Sequence, residues 1–243
     1  MVNVNGKWAL VTGASRGIGR LAAGFLAERG CNIIALSRSL EHTASLKQEL
    51  EAKGVQVFCV AADLADMASV NRALEQIDQA GMNVEIILNN AGVQIAYRTD
   101  YLTTPASDYV SSFAINTIAP MMICYHFLPK MIANGFGRIV NTTSGIRDDP
   151  QQAGYSASKA ALDKVTVDVR TKLQGTDVII SLTDPGWCRT DLGGPHAPND
   201  PRSALPGVVV GAFVDDGKSG RLLPAGAFYD MTLEEAVRKA HTM

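Results

Sequence analysis

The regular alternation of short aliphatic runs with longer helical segments is the feature that most constrains the fold of this chain. The aliphatic runs contain few polar positions, which is typical of strands that are covered by helices on both faces of a parallel sheet. We expect strands at Lys7–Thr12, Asn32–Ser37, Val55–Ala61, Val84–Asn89, Arg138–Thr143 and Val178–Leu182. The expected helices are Gly17–Arg29, Leu40–Lys53, Asp66–Ala80, Pro105–Ala133 and Tyr155–Leu173. This order predicts the α/β class, with a doubly wound parallel sheet in a three-layer α/β/α arrangement.

A proline-rich stretch interrupts this alternation after Asp184. Five of the ten prolines fall between Pro185 and Pro206, and long irregular segments in compact domains are often functional. We therefore expect a substrate lid at about residues 186–216. Further on, the pattern predicts a helical run over Ser203–Val214, a short strand around Arg221–Leu223 and a last helix after a capping box that begins at Thr232. No boundary divides the chain, so we expect a single domain over residues 1–243.

The charge balance and the cysteines narrow the class of protein. The chain has 22 Lys and Arg against 24 Asp and Glu, which argues against a nucleic-acid or anionic-membrane surface. Its four cysteines form no C-x-x-C pair, and its four histidines show no metal-ligand spacing. No apolar run approaches the ~18 residues that cross a bilayer, and the amino end has no targeting pattern. We expect a cytoplasmic protein without a metal.

A glycine-rich turn joins the first strand to the first helix, from Thr12 to Gly19. Glycines there permit a sharp turn and close approach of a pyrophosphate, and the helix N-terminus offers free N–H groups. This placement indicates a Rossmann-like dinucleotide site. The second strand ends in Ser37 and Arg38 without the carboxylate that binds a ribose 2′-hydroxyl. Because Arg38 and Arg16 can bind a 2′-phosphate, we expect NADP(H) rather than NAD(H).

Four polar side chains are candidates for the chemistry. Tyr155 and Lys159 are four residues apart on one face of a predicted helix. An ammonium and an oxidised nicotinamide nearby would lower the phenol pKa from about 10 toward the operating range. Ser144 follows a predicted strand at the carboxyl edge, where doubly wound sheets bind ligands. Asn116 lies within an apolar helical segment and needs hydrogen-bond partners there, which a purely structural contact would also provide.

These motifs, taken in order, resemble the short-chain dehydrogenase/reductase family in its single-domain branch. The resemblance covers about nine-tenths of the chain, from Lys7 to about Leu223. It depends on Thr12-Gly13 through Gly19, Asp63-Leu64, Asn89-Asn90-Ala91-Gly92, Asn116, Ser144, Tyr155 with Lys159, and Pro185-Gly186.

The resemblance implies a role for each matching residue. Tyr155 would be the general acid/base, Lys159 would lower its pKa and hold the nicotinamide ribose, and Ser144 would bind the substrate oxygen. Asn116 would position a water that links Lys159 to solvent. The implied cofactor contacts are Gly13, Ser15, Arg16, Gly17, Ile18, Gly19, Ser37, Arg38, Asp63, Leu64, Asn90, Ala91, Gly92, Tyr155, Lys159, Pro185, Gly186, Trp187 and Thr190. Among them, Asp63 would meet the adenine amino group, Pro185 to Trp187 would wall the nicotinamide, and Thr190 would approach its carboxamide.

The function implied is an NADP(H)-dependent carbonyl reductase that reduces a ketone or aldehyde, or runs in reverse. An enoyl reductase is the weaker enzymatic option, because that relative spaces its tyrosine and lysine more widely. The alternative from another class is a dinucleotide-binding sensor with little turnover. The polar loop 145–152 is slightly short for the family. In the substrate region Trp187 and Leu192 offer apolar contact, while Arg147, Gln151 and His196 offer polar contact. By the same analogy we expect a homodimer or homotetramer.

Overall fold

A computed structural model describes all residues, 1–243, and contains one sheet of seven parallel strands. The strands follow the order β3-β2-β1-β4-β5-β6-β7. They are β1 Trp8–Thr12, β2 Asn32–Ser37, β3 Val57–Ala61, β4 Val84–Asn89, β5 Gly137–Thr142, β6 Val178–Thr183 and β7 Arg221–Leu222. From the centre of the sheet, β1 to β3 follow one another toward one edge, and β4 to β7 follow one another toward the other edge. This strand order confirms the expected doubly wound α/β fold.

Seven helices cover the two faces of this sheet. They are α1 Gly17–Ala27, α2 Ala44–Glu51, α3 Met67–Gln79, α4 Ala106–Phe113, α5 Ala119–Ala133, α6 Ala153–Val169 and α7 Leu233–Thr242. The long helix expected from Pro105 to Ala133 is divided, because a π-helical turn at Ala114–Ile118 separates α4 from α5. The last helix begins with the expected capping box, in which Thr232 and Glu235 bind each other's backbone N–H groups.

The helical run expected over Ser203–Val214 is wrong. That stretch contains only two short 3-10 turns, Pro201–Ala204 and Val210–Ala212. Pro206 lacks an N–H donor, and the glycines and valines that follow it favour a helix poorly. The stretch from Val208 to Val214 is nevertheless buried in the core. The second half of the expected lid is therefore part of the body of the domain.

Two apolar clusters hold the three layers together, one on each face of the sheet. The larger cluster joins α1, α2 and α7 to the sheet, and the smaller one joins α3, α5 and α6 to the opposite face. Strand side chains alternate between the clusters, as Ile33 and Ile34 do. None of the helices combines the length and hydrophobicity that crossing a bilayer requires.

Candidate active site

The glycine-rich turn between β1 and α1 is shaped by close backbone approaches. Gly13 and Gly17 have φ of +67° and +54°, which L side chains rarely adopt. A Cβ on Gly19 would lie 2.3 Å from the carbonyl oxygen of Gly13, so only glycine fits there. The N-cap of α1, Arg16, makes no side-chain capping bond. The turn thus leaves the N–H groups of the helix free of side-chain caps, a cradle that suits a pyrophosphate.

The segment that follows β4 lies directly against this turn. Thr12 accepts the side-chain amide of Asn90 through its carbonyl, at 3.3 Å, and the backbone N–H of Ala91 through its hydroxyl, at 3.0 Å. A Cβ on Gly92 would meet Asn116 Oδ1 at 3.3 Å and Lys159 Nζ at 3.5 Å. This segment therefore connects the glycine-rich turn to two of the candidate catalytic residues.

The residues that we expect to bind the adenosine half of the dinucleotide lie at the ends of β2 and β3. The Arg38 side chain is exposed and forms no hydrogen bond or ion pair within the chain. Ser37 is buried and donates its hydroxyl to the carbonyl of Ser39. Asp63 is exposed and accepts the N–H of Ala65, while Leu64 is buried. The free guanidinium at the end of β2 is an available partner for an anionic group.

Arg16 already has a partner in the chain. Its guanidinium lies 2.6 Å from the carboxylate of Asp191, and both side chains are exposed. The neighbouring Thr190 contacts the same turn, because its methyl group would lie 3.4 Å from a Cβ on Gly17. The segment after β6 therefore reaches across to the start of α1. Ser15 and Ile18 lie in the same turn, half-buried.

Asn116 lies in the π-helical turn and is fully buried. Its amide exchanges two hydrogen bonds with the backbone of Val93, at 2.8 Å and 2.9 Å, and donates a third to the hydroxyl of Ser158, at 3.0 Å. π-Helical turns occur frequently at functional sites. Asn116 ties the segment after β4 to α6 immediately beside Lys159.

Lys159 lies in α6 and is buried against the carboxyl end of β5. Its ammonium donates to the carbonyl of Thr142 at 2.7 Å and lies 6.0 Å from the centre of the Tyr155 ring. Burial lowers the pKa of Lys159 to about 8, against the opposing pull of Asp163 and Asp184. The lowered pKa places the loss of the ammonium charge within the range of mildly alkaline pH.

Tyr155 departs from the sequence-based expectation. Burial raises the pKa of its phenol, with the charge of Asp184 adding to the effect and a hydrogen bond with Ser144 opposing it. The reason is that the ring is 8% exposed, and desolvation disfavours the phenolate. The lowered pKa expected for Tyr155 is therefore wrong, because burial outweighs the opposing contribution.

A cleft of about 300 Å³ lies between the segment after β4, the residue that precedes α6 and the segment after β6, and none of the four candidate catalytic residues lines it. Trp187 and Leu192 contribute to its wall as expected, but Arg147, Gln151 and His196 do not. The Trp187 ring is exposed and held by a 2.8 Å bond from its indole N–H to the carbonyl of Gly193. The lining residues are Gln94, Ile95, Tyr97, Gln152, Trp187, Leu192, Gly193 and Gly194.

Sequence reasoning missed two residues at this site. Gln152 lines the cleft, is 3% exposed and donates its amide to the carbonyl of Ile95 at 3.2 Å, which leaves its Oε1 without a partner. The only sequence signal for a role of Gln152 in the site was its position directly before α6, three residues before Tyr155. The second is Asp184, directly after β6, which accepts the backbone N–H groups of Gly145 and Gly186.

Comparisons with known proteins cover most of the chain. The model of the family described as short chain dehydrogenase matches residues 7–200. The 3-oxoacyl-(acyl-carrier-protein) reductase FabG of Aquifex aeolicus is 32% identical over 194 residues, which are 79% of this chain and 77% of that protein. The family match includes the glycine-rich turn, and both matches extend over most of the chain.

Two solved structures have closely similar folds. A putative gluconate dehydrogenase from Agrobacterium tumefaciens superimposes with a TM-score of 0.81 at 25% identity, covering 91% of this chain and 95% of that one. A blue fluorescent protein from a metagenomic library, in complex with NADPH, superimposes with a TM-score of 0.79 at 30% identity, covering 92% and 97%.

Proposed function

This chain belongs to the short-chain dehydrogenase family, and we propose that it is an NADP(H)-dependent oxidoreductase that interconverts a ketone or aldehyde with an alcohol. The observation that carries the proposal is the convergence of Tyr155, Lys159 and Asn116 beside the segment that follows β4. A dinucleotide cradle built for a purely binding role would not need a buried amine next to a phenol. Bound NADP(H) supplies or accepts the hydride.

Tyr155 is the proposed proton donor to the carbonyl oxygen, and in the reverse direction the acceptor from the alcohol. Its raised pKa keeps the phenol protonated at neutral pH, which suits the reduction. Ser144 provides a second hydroxyl that holds the same substrate oxygen. The Ser144 hydroxyl accepts the N–H of Ile146 at 3.3 Å, and its hydrogen bond with the Tyr155 phenol places the two hydroxyl groups side by side.

Lys159 is the proposed source of positive charge beneath the phenol, and it holds the ribose of the dinucleotide. Its bond to the carbonyl of Thr142 uses one of the three ammonium protons, so two remain for other acceptors. Asn116 keeps α6 in register with the segment after β4 through Val93 and Ser158. Both protons of its side-chain nitrogen are used by Val93 and Ser158, so a water that it positions for Lys159 would donate to one of its oxygen atoms.

The preference for NADP(H) is supported by the end of β2. The Arg38 guanidinium is exposed without an internal partner, and no carboxylate stands at that strand end to repel a phosphate. A guanidinium binds a phosphate through two parallel hydrogen bonds. The glycine-rich turn, with its uncapped helix N-terminus, accommodates the pyrophosphate.

The substrate is proposed to enter the cleft beside Trp187 and Leu192. Of the expected substrate lid, only about residues 187–200 are proposed to cover this cleft, because Val208 to Val214 belong to the core. Gln152 contributes an acceptor with no partner of its own to this wall, which suits a substrate that carries a hydroxyl or amide group.

We also propose a homodimer or homotetramer in the cytoplasm. Helices α4 and α5 expose five large apolar side chains that a second copy would cover: Tyr109, Val110, Met122, Tyr125 and Ile132. All four cysteines are free thiols, which suits a reducing compartment. Gel filtration tests the first statement, and a species of about 26 kDa at micromolar concentration would contradict it.

The test of the function is NADPH consumption with a panel of ketones and aldehydes. We expect turnover by the wild type and a loss of about 10²–10⁴-fold in kcat for Tyr155→Phe, which removes only the proton carrier. Tyr101→Phe, on an exposed 3-10 turn, is the matched control. Equal rates for the wild type and Tyr155→Phe would remove the mechanism. NADPH binding without turnover of any compound would favour the sensor.

A further inference from the structure

The Asp184 carboxylate joins two loops at the active edge of the sheet. One oxygen accepts the N–H of Gly145 at 2.9 Å, and the other accepts the N–H of Gly186 at 2.9 Å. Gly145 directly follows Ser144, and Gly186 belongs to the segment after β6. Both oxygens of one carboxylate are therefore used to set the distance between these loops. Hydrogen bonds to a charged acceptor are among the stronger ones in proteins.

The backbone around Asp184 is arranged for this contact. A Cβ on Gly145 would lie 2.8 Å from the same carboxylate oxygen, so a larger residue would push the carboxylate away. The carbonyl of Asp184 accepts the N–H of Ala225 at 2.8 Å, which fixes the Asp184 backbone to the chain beyond β7. Gly186 adopts a φ of +72°, a conformation that L side chains rarely adopt, so glycine suits the turn of the chain directly after this contact.

We propose that Asp184 is a positioning residue of the reaction, whose carboxylate fixes the spacing between the Ser144 turn and the Pro185–Trp187 segment. The inference deepens the proposed function and rests on it, because Ser144 would bind the substrate oxygen and Pro185 to Trp187 would wall the nicotinamide. The bidentate contact keeps both walls at one separation while substrates enter and leave.

The same carboxylate acts electrostatically on the neighbouring titratable groups. Its charge raises the pKa of Tyr155, and it opposes the burial that lowers the pKa of Lys159. It also adds to the burial that raises the pKa of Asp163 and of Cys188. The cations that face these groups are Lys159 and Arg147 at Asp163, and Arg189 at Cys188, where Asp200 adds a further negative charge.

The amide protons provide a test that needs no catalysis. In protein labelled with ¹⁵N-glycine, we expect at least one of the Gly145 and Gly186 amides of Asp184→Asn to exchange about tenfold faster than in the wild type, because asparagine replaces one of the two accepting oxygens with an NH₂ donor that cannot accept an N–H. Asp168→Asn, on the exposed face of α6, is the matched loss of charge and leaves both amides unchanged. Unaltered exchange in Asp184→Asn would overturn the proposal.

The kinetics separate a positioning role from a merely structural one. We expect kcat of Asp184→Asn to fall about tenfold, with a change of less than about twofold in the KM for NADPH. The apparent pKa of alcohol oxidation shifts down, because the lost charge had raised the Tyr155 pKa. An unchanged kcat and pH profile would contradict the proposal even if the melting temperature falls.

Two further outcomes are distinguishable. If Asp184→Asn does not fold, Asp184→Glu keeps the charge, so we expect it to retain the wild-type pH profile while its longer side chain loosens the two amides. If the wild type turns over no carbonyl compound, the proposed function fails. The exchange of the Gly145 and Gly186 amides still decides whether the carboxylate holds the two loops.

Discussion

The floor and the rim of the site are built in different ways. The floor consists of Asn116, Tyr155 and Lys159, which are 0%, 8% and 4% exposed. Backbone carbonyl and amide groups on separate elements hold two of them. The rim consists of Arg16, Arg38, Tyr97, Trp187, Leu192 and Asp191, whose side chains lie at the surface. Buried hydrogen bonds hold Asn116 and Lys159 of the floor in place, whereas the side chains of the rim can exchange partners with a ligand.

The largest effect is expected when the floor loses Asn116. Asn116→Ala leaves the N–H and the carbonyl of Val93 and the hydroxyl of Ser158 without their partner. We expect the free energy of unfolding to fall by about 2 kcal/mol or more. We also expect kcat to fall by about 10²-fold, because α6 shifts against the segment after β4. Chemical denaturation and steady-state rates measure the two.

Asn134→Ala is the matched control for that change. The Asn134 amide forms an exposed bond with Asn83 just after α5, far from the catalytic residues in the chain. We expect little change in either measurement. Wild-type kcat in a stable Asn116→Ala protein would show that the floor does not depend on this amide.

A second prediction concerns the charge on the floor. Burial lowers the pKa of Lys159 to about 8, so the ammonium is present below that pH and is lost above it. We expect kcat/KM for carbonyl reduction, which reports the free enzyme, to fall as the pH rises through about 8. Lys159→Arg keeps its charge over this range, so this descending limb disappears although the rate is lower.

Lys164→Arg, one turn further on the exposed face of α6, tests whether the limb belongs to Lys159. The limb stays at its wild-type position in this control. A limb that persists in Lys159→Arg would assign the titration to another group.

The difference between floor and rim also explains how much the sequence could predict. The alternation of strands and helices was sufficient to predict the parallel sheet, and the four-residue spacing of Tyr155 and Lys159 was recognisable. Asn116 stood out only as a polar residue within an apolar helical segment. The π-helical turn at Asn116 was missed, because a helical pattern does not distinguish a π turn from continuous α-helix. The sequence pattern predicts a helix for the buried valines after Pro206, although tertiary burial rather than helix propensity determines their place.

Contacts between backbone and side chain over long separations had no signal in the sequence. Asp184 binds the N–H of Gly145, 39 positions away, and neither residue stands in a periodic pattern. Gln152 reaches the carbonyl of Ile95 across 57 positions. The lowered pKa expected for Tyr155 depended on a charge, but the opposing desolvation is known only once the burial of the ring is seen.

On the rim, Arg38 is expected to determine cofactor preference. Arg38→Ala removes the unpaired guanidinium at the end of β2, so we expect NADPH to bind about 10–100-fold more weakly, while NADH binding changes little. Fluorescence titration with both nucleotides measures this. Arg72→Ala, an exposed arginine of α3 that faces Asp66, is the control. An equal loss for NADPH and NADH would mean that Arg38 does not recognise the 2′-phosphate.

The smallest effect is expected at the ion pair between Arg16 and Asp191, which joins the start of α1 to the cover of the cleft. An exposed pair of this kind contributes little, so Asp191→Asn should change NADPH affinity less than about fivefold. The direction is toward tighter binding, because Arg16 no longer has a carboxylate that competes with phosphate. High salt should remove the difference, since charges at the surface are screened over about 3 Å at 1 M. Asp200→Asn, further along the same segment, is the control. Weaker NADPH binding by Asp191→Asn would instead indicate that the ion pair holds residues 187–200 over the bound nucleotide. In that case Arg16 and Asp191 would be fixed by their contact, as the floor residues are by their hydrogen bonds.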